Sequence, residues 1–134
     1  MPEVLLDTDT LSLFLRNQPA VMKQAGEYLS EHQGFTFSVI THFEILRGLM
    51  AKDAQRQIEK FRVICEDSRE INLSSGIVNK AAETYASLHR SGTLIGDADL
   101  LIAATAMHHG LAVVTNNTAH FQRISGLTVV NWNR

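Results

Sequence analysis

The chain has 134 residues, 45% of them hydrophobic and 19% charged, which fits about one domain with a sizeable core and excludes a disordered polymer. Its net charge of −2, from 12 Lys and Arg against 14 Asp and Glu, excludes a uniformly basic nucleic-acid-binding surface. The single Cys65 excludes an internal disulfide and a multi-cysteine metal site. No apolar run approaches the ~20 residues of a membrane span. The acidic start Met1-Pro2-Glu3 is not a secretory signal. A soluble protein of a reducing, cytoplasmic compartment is expected, one domain over residues 1–134.

Val4-Leu5-Leu6 is a short apolar run ending at Asp7 and predicts a buried strand. Thr8 or Asp9 caps a helix over Thr10 to Arg16, and Pro19 opens a second helix to about His32, closed by Gly34. Phe35-Thr36-Phe37 predicts a second strand, and Ser38 caps a third helix over Val39 to Met50. From Asp53, the spacing of Ile58, Phe61, Ile64 and Cys65 predicts a fourth helix. Glu70 to Leu73 reads as a weak strand. Ser74 or Ser75 caps a fifth helix to about Arg90, with Ile77, Ala81, Tyr85 and Leu88 on one face. Ser91 to Gly96 is a loop, and Asp97 caps a sixth helix, Ala98 to His109, which Gly110 stops. Ala112-Val113-Val114 predicts a buried strand, followed by a helical turn over Thr118 to Arg123 and a last strand over Leu127 to Val130. Strands of unbroken Val, Leu and Ile that alternate with helices predict a parallel sheet covered on both faces. In such sheets ligands bind beyond the carboxyl ends of the strands.

Acids gather at that edge. Asp7 ends the first strand, and Asn116 and Asn117 end the strand Val113-Val114-Thr115. Thr41, Glu44 and Gly48 share one helix face by spacing. Gly48 costs roughly 1 kcal/mol against Ala in mid-helix, which predicts another segment pressing on that face. The plain alternative for Glu44 is an i,i+3 ion pair with Arg47. Asp99 lies in the first turn of a helix apolar nearly all round, so a solvated face does not account for it. Asp97, two residues earlier, points elsewhere and serves the helix end. With Asp7, Asp9, Glu44, Asp97 and Asp99 set aside, nine acids remain against 12 bases, a mildly basic remainder around an acidic site. Two carboxylates about 4 Å apart repel by roughly 4 kcal/mol at an effective dielectric near 20. A hard divalent cation such as Mg²⁺ or Mn²⁺ resolves that conflict and supports hydrolysis of a phosphodiester.

Four segments carry a resemblance. Leu5-Leu6-Asp7-Thr8-Asp9 resembles L-D-T-[ND]. Thr41 to Gly48 resembles T-x-x-E-x-x-x-G. Ile95 to Ala104 resembles I-G-x-x-D-x-x-I-A-A. Val114 to Phe121 resembles V-T-N-[ND]-x-x-x-F, and the tail through Trp132 is of the same kind. Together, in this order and spacing over nearly the whole chain, they resemble the PIN-domain ribonucleases, in particular the VapC-type toxins of bacterial toxin–antitoxin modules. The resemblance implies a three-layer α/β/α sandwich around a mainly parallel sheet of four to five strands. It implies an Mg²⁺- or Mn²⁺-dependent endoribonuclease that cuts RNA such as tRNA, works as a homodimer and is held by a cognate antitoxin. Asp7, Glu44 and Asp99 are the implied metal ligands. Asn117 stands where many members carry a fourth acid. Thr8, Asp9, Thr41, Thr115 and Asn116 are the implied orienting groups. Asp97 is a candidate replacement for the fourth acid, and Arg47 a candidate counter-charge or phosphate ligand.

The same residues admit two rival readings. Asp7-Thr8-Asp9 also mimics the D-x-D opening of haloacid-dehalogenase-like phosphatases, with Asp7 as nucleophile and Lys80 as the lysine. Leu11 stands against it, because Thr or Val is expected there. A catalytically silent RNA- or protein-binding scaffold is the other, and the intact trio Asp7, Glu44 and Asp99 speaks against it. His108-His109 reads as a pair of cations at a helix C-terminus. His120 is divided evenly between the site and the surface.

Overall fold

A computed structural model describes residues 1–134. Five strands and seven helices follow one another as β1 (Val4–Leu6), α1 (Thr8–Leu15), α2 (Pro19–Leu29), β2 (Thr36–Ser38), α3 (Val39–Ala51), α4 (Gln55–Asp67), β3 (Arg69–Ile71), α5 (Ser75–Ser91), α6 (Asp97–His108), β4 (Ala112–Val114), α7 (Thr118–Phe121) and β5 (Val129–Val130). All pairings are parallel. β1 pairs with β4 in the register Val4↔Ala112, Leu5↔Val113, Leu6↔Val114, and β4 pairs with β5. β2 pairs with β3. The ladder bonds thus form a three-stranded and a two-stranded sheet, with β1 and β2 side by side along the seam. Thr36 of β2 donates to the Glu3 carboxylate before β1 at 2.7 Å, and Arg69 of β3 joins the same carboxylate. The expected single sheet is therefore a parallel layer with one unladdered seam.

Strand alternation builds two cores. Leu5 and Val113 face one side, where they meet Ile77, Leu88, Ile102, Ala103 and Phe121 from α5, α6 and α7. Val4, Leu6 and Val114 face the other, with Leu11, Val21, Tyr28, Phe37, Ile45, Phe61 and Trp132. Helices thus cover both faces, and Leu5, Leu6, Val113 and Val114 at the centre of the layer are fully buried. Every residue of β1 counts as buried, which explains why its sequence shows no polar alternation.

Several boundaries differ from expectation, each for a local reason. α1 begins at Thr8, because Asp7 itself is the N-cap and accepts from the Thr8 amide. α2 ends at Leu29 rather than near His32. Asp53 takes φ 51°, a left-handed turn, so α4 starts at Gln55 with no side-chain cap. Gly96, not Asp97, is the N-cap of α6. On α5, Tyr85 is exposed and Thr84 takes the buried position. Gly34 does more than close a helix: a Cβ there would stand 2.0 Å from the Asp67 carbonyl oxygen, so two backbones touch at that point. At Gly48 the expected close approach is absent, since a Cβ there meets open space.

Candidate active site

The carboxyl ends of β1 and β4 place Asp7 and Thr115 next to each other. Asp7 is only 4% exposed. Its carboxylate accepts from the Thr8 amide at 2.7 Å and from the Thr115 hydroxyl at 2.8 Å. These bonds hold one rotamer, and the backbone amide of Asp7 extends the β1–β4 ladder by donating to the Val114 carbonyl at 2.9 Å.

Three further groups converge on this point. The Thr8 hydroxyl donates to Glu44 Oε1 at 2.6 Å and lies 3.1 Å from the Thr41 hydroxyl. Thr41 and Glu44 reach it from one face of α3, whose N-cap Ser38 accepts from the Ile40 and Thr41 amides. Asp9 accepts from the Asn116 amide at 3.1 Å and stands 3.4 Å from the Thr115 hydroxyl. The Asn117 amide donates to Thr115 Oγ1 at 3.0 Å. The Asn117 side chain meets His120 Nδ1 at 2.7 Å, and that nitrogen lies 3.4 Å from Asp99 Oδ2. A continuous polar chain therefore runs from Glu44 through Thr8, Asp7, Thr115, Asn117 and His120 to Asp99. Asn116 is tied down by Asn133, which donates to its side-chain oxygen at 3.2 Å.

Asp7 pays electrostatically for this placement. Burial first, then the neighbouring Asp9 and, more weakly, Asp99 push its carboxyl up to about 7, against the pull of the Thr115 and Thr8 bonds. The donor set is carboxylate and amide oxygen, which suits a hard divalent cation, and a positive charge would relieve the repulsion that raises Asp7. No three His, Cys, Asp or Glu side chains close into a cage. Mg²⁺ does not require one, since it keeps several waters and is commonly held by one or two carboxylates with substrate phosphate.

Of two further sequence candidates, Asp97 lies apart from this group and Arg47 stands at its edge. Asp97 is exposed and borders a shallow apolar recess with Ala81, Ala82, Tyr85, Leu100 and Leu101 on the α5 side. It makes no hydrogen bond to the other acids, and its two-residue offset from Asp99 turns it to a different side of α6. Arg47 stands 3.8 Å from Glu44 Oε2, largely exposed, with its guanidinium over the Phe43 ring at 5.1 Å. That is a weak pair, and the Thr8 bond dominates the surroundings of Glu44. Gly48 lines a cleft with Thr8, Ser12, Arg16, Glu44 and Lys52, so an open groove with two cations runs up to Glu44.

The phosphatase constellation is not assembled. Lys80 lines a separate cleft with Glu83, Ser87, Arg123 and Ser125, among none of the site acids. His120 is the residue left undecided by sequence reading, and the structure puts it in the site. The signal was present in its i,i+3 spacing from Asn117, which places both on one side of the short helix α7.

A family model for the PIN domain matches residues 4–127. The chain is 27% identical over 134 residues to the tRNA(fMet)-specific endonuclease VapC of Shigella flexneri, covering 98% of this chain and 99% of that one. It is 30% identical to the VapC ribonuclease Y4jK of Sinorhizobium fredii, covering 96% of each. Among solved structures, VapBC2 from Rickettsia felis bound to a DNA fragment from its promoter superposes with a TM-score of 0.87 at 26% identity, covering 98% of this chain and 99% of that one.

Proposed function

The chain belongs to the PIN-domain family, and from that membership we propose that it is a VapC-type endoribonuclease, the toxin of a type II toxin–antitoxin module. The proposed substrate is a structured RNA such as tRNA, and the proposed cofactor is Mg²⁺ or Mn²⁺. The observation that carries the reading is the buried Asp7, ringed by Asp9 and Asp99 and tied through Thr8 to Glu44 at the carboxyl edge of a parallel sheet. The names of the relatives, an endonuclease specific for tRNA(fMet) among them, support the same chemistry.

Asp7, Glu44 and Asp99 would hold the cation. When bound, it supplies Lewis acidity, lowering the pKa of a coordinated water and neutralising charge on the phosphate. The chain's own groups do the rest. Thr8 and Thr115 hold the carboxylates of Glu44 and Asp7 in fixed orientations by donating to them. Asn117 offers an amide that fixes the position of a water or a phosphate oxygen without adding negative charge. Asp9, held by the Asn116 amide, keeps the β4–α7 turn against α1. Arg16 and Lys52 at the cleft beside Glu44 attract the RNA backbone, whose charge otherwise opposes approach to an acidic site. Hydrolysis then breaks the bond from phosphorus to the 3′ oxygen as water adds, leaving 3′-hydroxyl and 5′-phosphate ends.

The proposed partners are a cognate antitoxin and a second copy of the chain. Phe43 and Met50, one helix face of α3 apart by seven residues, are 59% and 60% exposed and give apolar surface for either. The proposed setting is the cytoplasm, where structured RNA is available. No helix is long and apolar enough to cross a membrane.

A paired assay separates this reading from the phosphatase one. Purified protein with Mn²⁺ is given p-nitrophenyl phosphate in one arm and a tRNA pool in the other. Discrete tRNA fragments without phosphatase turnover are expected. Turnover of p-nitrophenyl phosphate that is lost in Asp7→Asn, with intact tRNA, would overturn the proposal.

A further inference from the structure

We infer that His120 is a nitrogen ligand of the cation site and biases it toward Mn²⁺ over Mg²⁺. The inference rests on the cation-dependent reading above and adds a donor of a different chemical class to an otherwise all-oxygen set. His120 Nδ1 stands 3.4 Å from Asp99 Oδ2. Two donors at that separation are close enough to share one divalent ion with bonds of roughly 2.1 Å to each.

The ring is not accounted for as a partner of Asp99. A charge-assisted N–H to carboxylate bond is shorter, about 2.7–2.9 Å. The Asn117 Nδ2 group meets the same Nδ1 at 2.7 Å. With the amide so placed, its N–H donates, and Nδ1 presents a lone pair. That lone pair is what a metal takes, and Asn117 is then free to turn its oxygen inward. Both hydrogen-bond contacts of the ring are at Nδ1, and the side chain is 41% exposed, so waters have room to complete the coordination. Imidazole favours first-row transition metals, whereas Mg²⁺ prefers oxygen and dehydrates reluctantly. One imidazole in a carboxylate site therefore raises Mn²⁺ affinity while adding little for Mg²⁺.

The test uses the full chain at pH 8. Mn²⁺ is titrated by electron paramagnetic resonance, and the bound ion is examined by electron spin echo modulation for directly coordinated nitrogen-14. Mg²⁺ and Mn²⁺ affinities are measured by calorimetry. The wild-type protein is expected to show nitrogen-14 coupling. His120→Ala and the more conservative His120→Gln are expected to lose it and to bind Mn²⁺ about tenfold more weakly, with Mg²⁺ affinity within about twofold. Because the other five histidines, His32, His42, His89, His108 and His109, make no side-chain hydrogen bond to the site residues, coupling that persists in both variants would overturn the inference. Bound Mn²⁺ without coupling would overturn it and leave the cation reading standing. Failure of the wild-type chain to bind Mn²⁺ at all would overturn both.

Discussion

Asp7 carries the largest electrostatic burden in the molecule, and its consequences are measurable without substrate. Its carboxyl ordinarily titrates near 3.8 and stands at about 7 in the fold. Between those values the folded state binds a proton that the unfolded state releases. Stability from this group is therefore fully present below about pH 4 and lost as pH rises through 7. In EDTA, the melting temperature should fall between pH 5 and pH 8. Asp7→Asn should flatten that dependence and melt about 5 °C or more above wild type at pH 8, while abolishing cleavage. An unchanged pH profile in Asp7→Asn would contradict the assignment. Thr8 tests the link between Asp7 and Glu44. Thr8→Val removes the 2.6 Å donor to Glu44 and should cost about 1 kcal/mol of stability or less, since Glu44 retains access to water. Its larger effect should be on turnover, at least tenfold, read as a fall in kcat with little change in KM.

At the scale of elements, glycines separate two kinds of expectation. Gly34 abuts the Asp67 carbonyl, where a Cβ would overlap backbone. Gly34→Ala should destabilise the fold by about 2 kcal/mol or more, because the α4–β3 connection must move. Gly48 sits in α3 with open space around it. Gly48→Ala should stabilise the helix by about 0.5–1 kcal/mol and slow RNA cleavage by narrowing the cleft between α1 and α3. Denaturant melts of both variants check these signs. Helix composition alone pointed to a close approach at Gly48, because it cannot distinguish a helix face pressed by a neighbour from one kept bare to leave a groove. The strands were legible because burial on both faces leaves unbroken Val and Leu runs, as in Val4-Leu5-Leu6. Cap positions were less so: Asp7, Thr8 and Asp9 are all good caps, and only tertiary contact with Thr115 decides that Asp7 takes that role.

For the molecule as a whole, the site was legible where it depends on strand ends and helix phase. Asp7 and Asn117 follow from the carboxyl edge, and Thr41 with Glu44 from a shared helix face. Asp97 was separable from Asp99 by the two-residue offset, and the fold puts Asp97 against α5 instead. His120 was legible only through its i,i+3 spacing from Asn117, because a four-residue helix after a turn has no longer periodicity to read. The seam between β1 and β2 was hidden for a related reason: strand composition reports burial and not whether neighbouring ladders join. These long-range choices bring Asp9 and Asp99 close enough to raise Asp7, a repulsion that the proposed divalent cation would relieve. Millimolar Mg²⁺ or Mn²⁺ should accordingly raise the melting temperature of the wild-type chain at pH 8 and leave Asp7→Asn nearly unmoved.

The most direct measurement incubates the purified chain with end-labelled total tRNA and ribosomal RNA, with Mn²⁺, with Mg²⁺ and with EDTA, beside Asp99→Asn. Discrete fragments with 5′-phosphate ends are predicted, dependent on the added cation and absent from the variant. Cleavage that survives both EDTA and Asp99→Asn, or intact RNA with a folded protein free of bound antitoxin, would contradict the account.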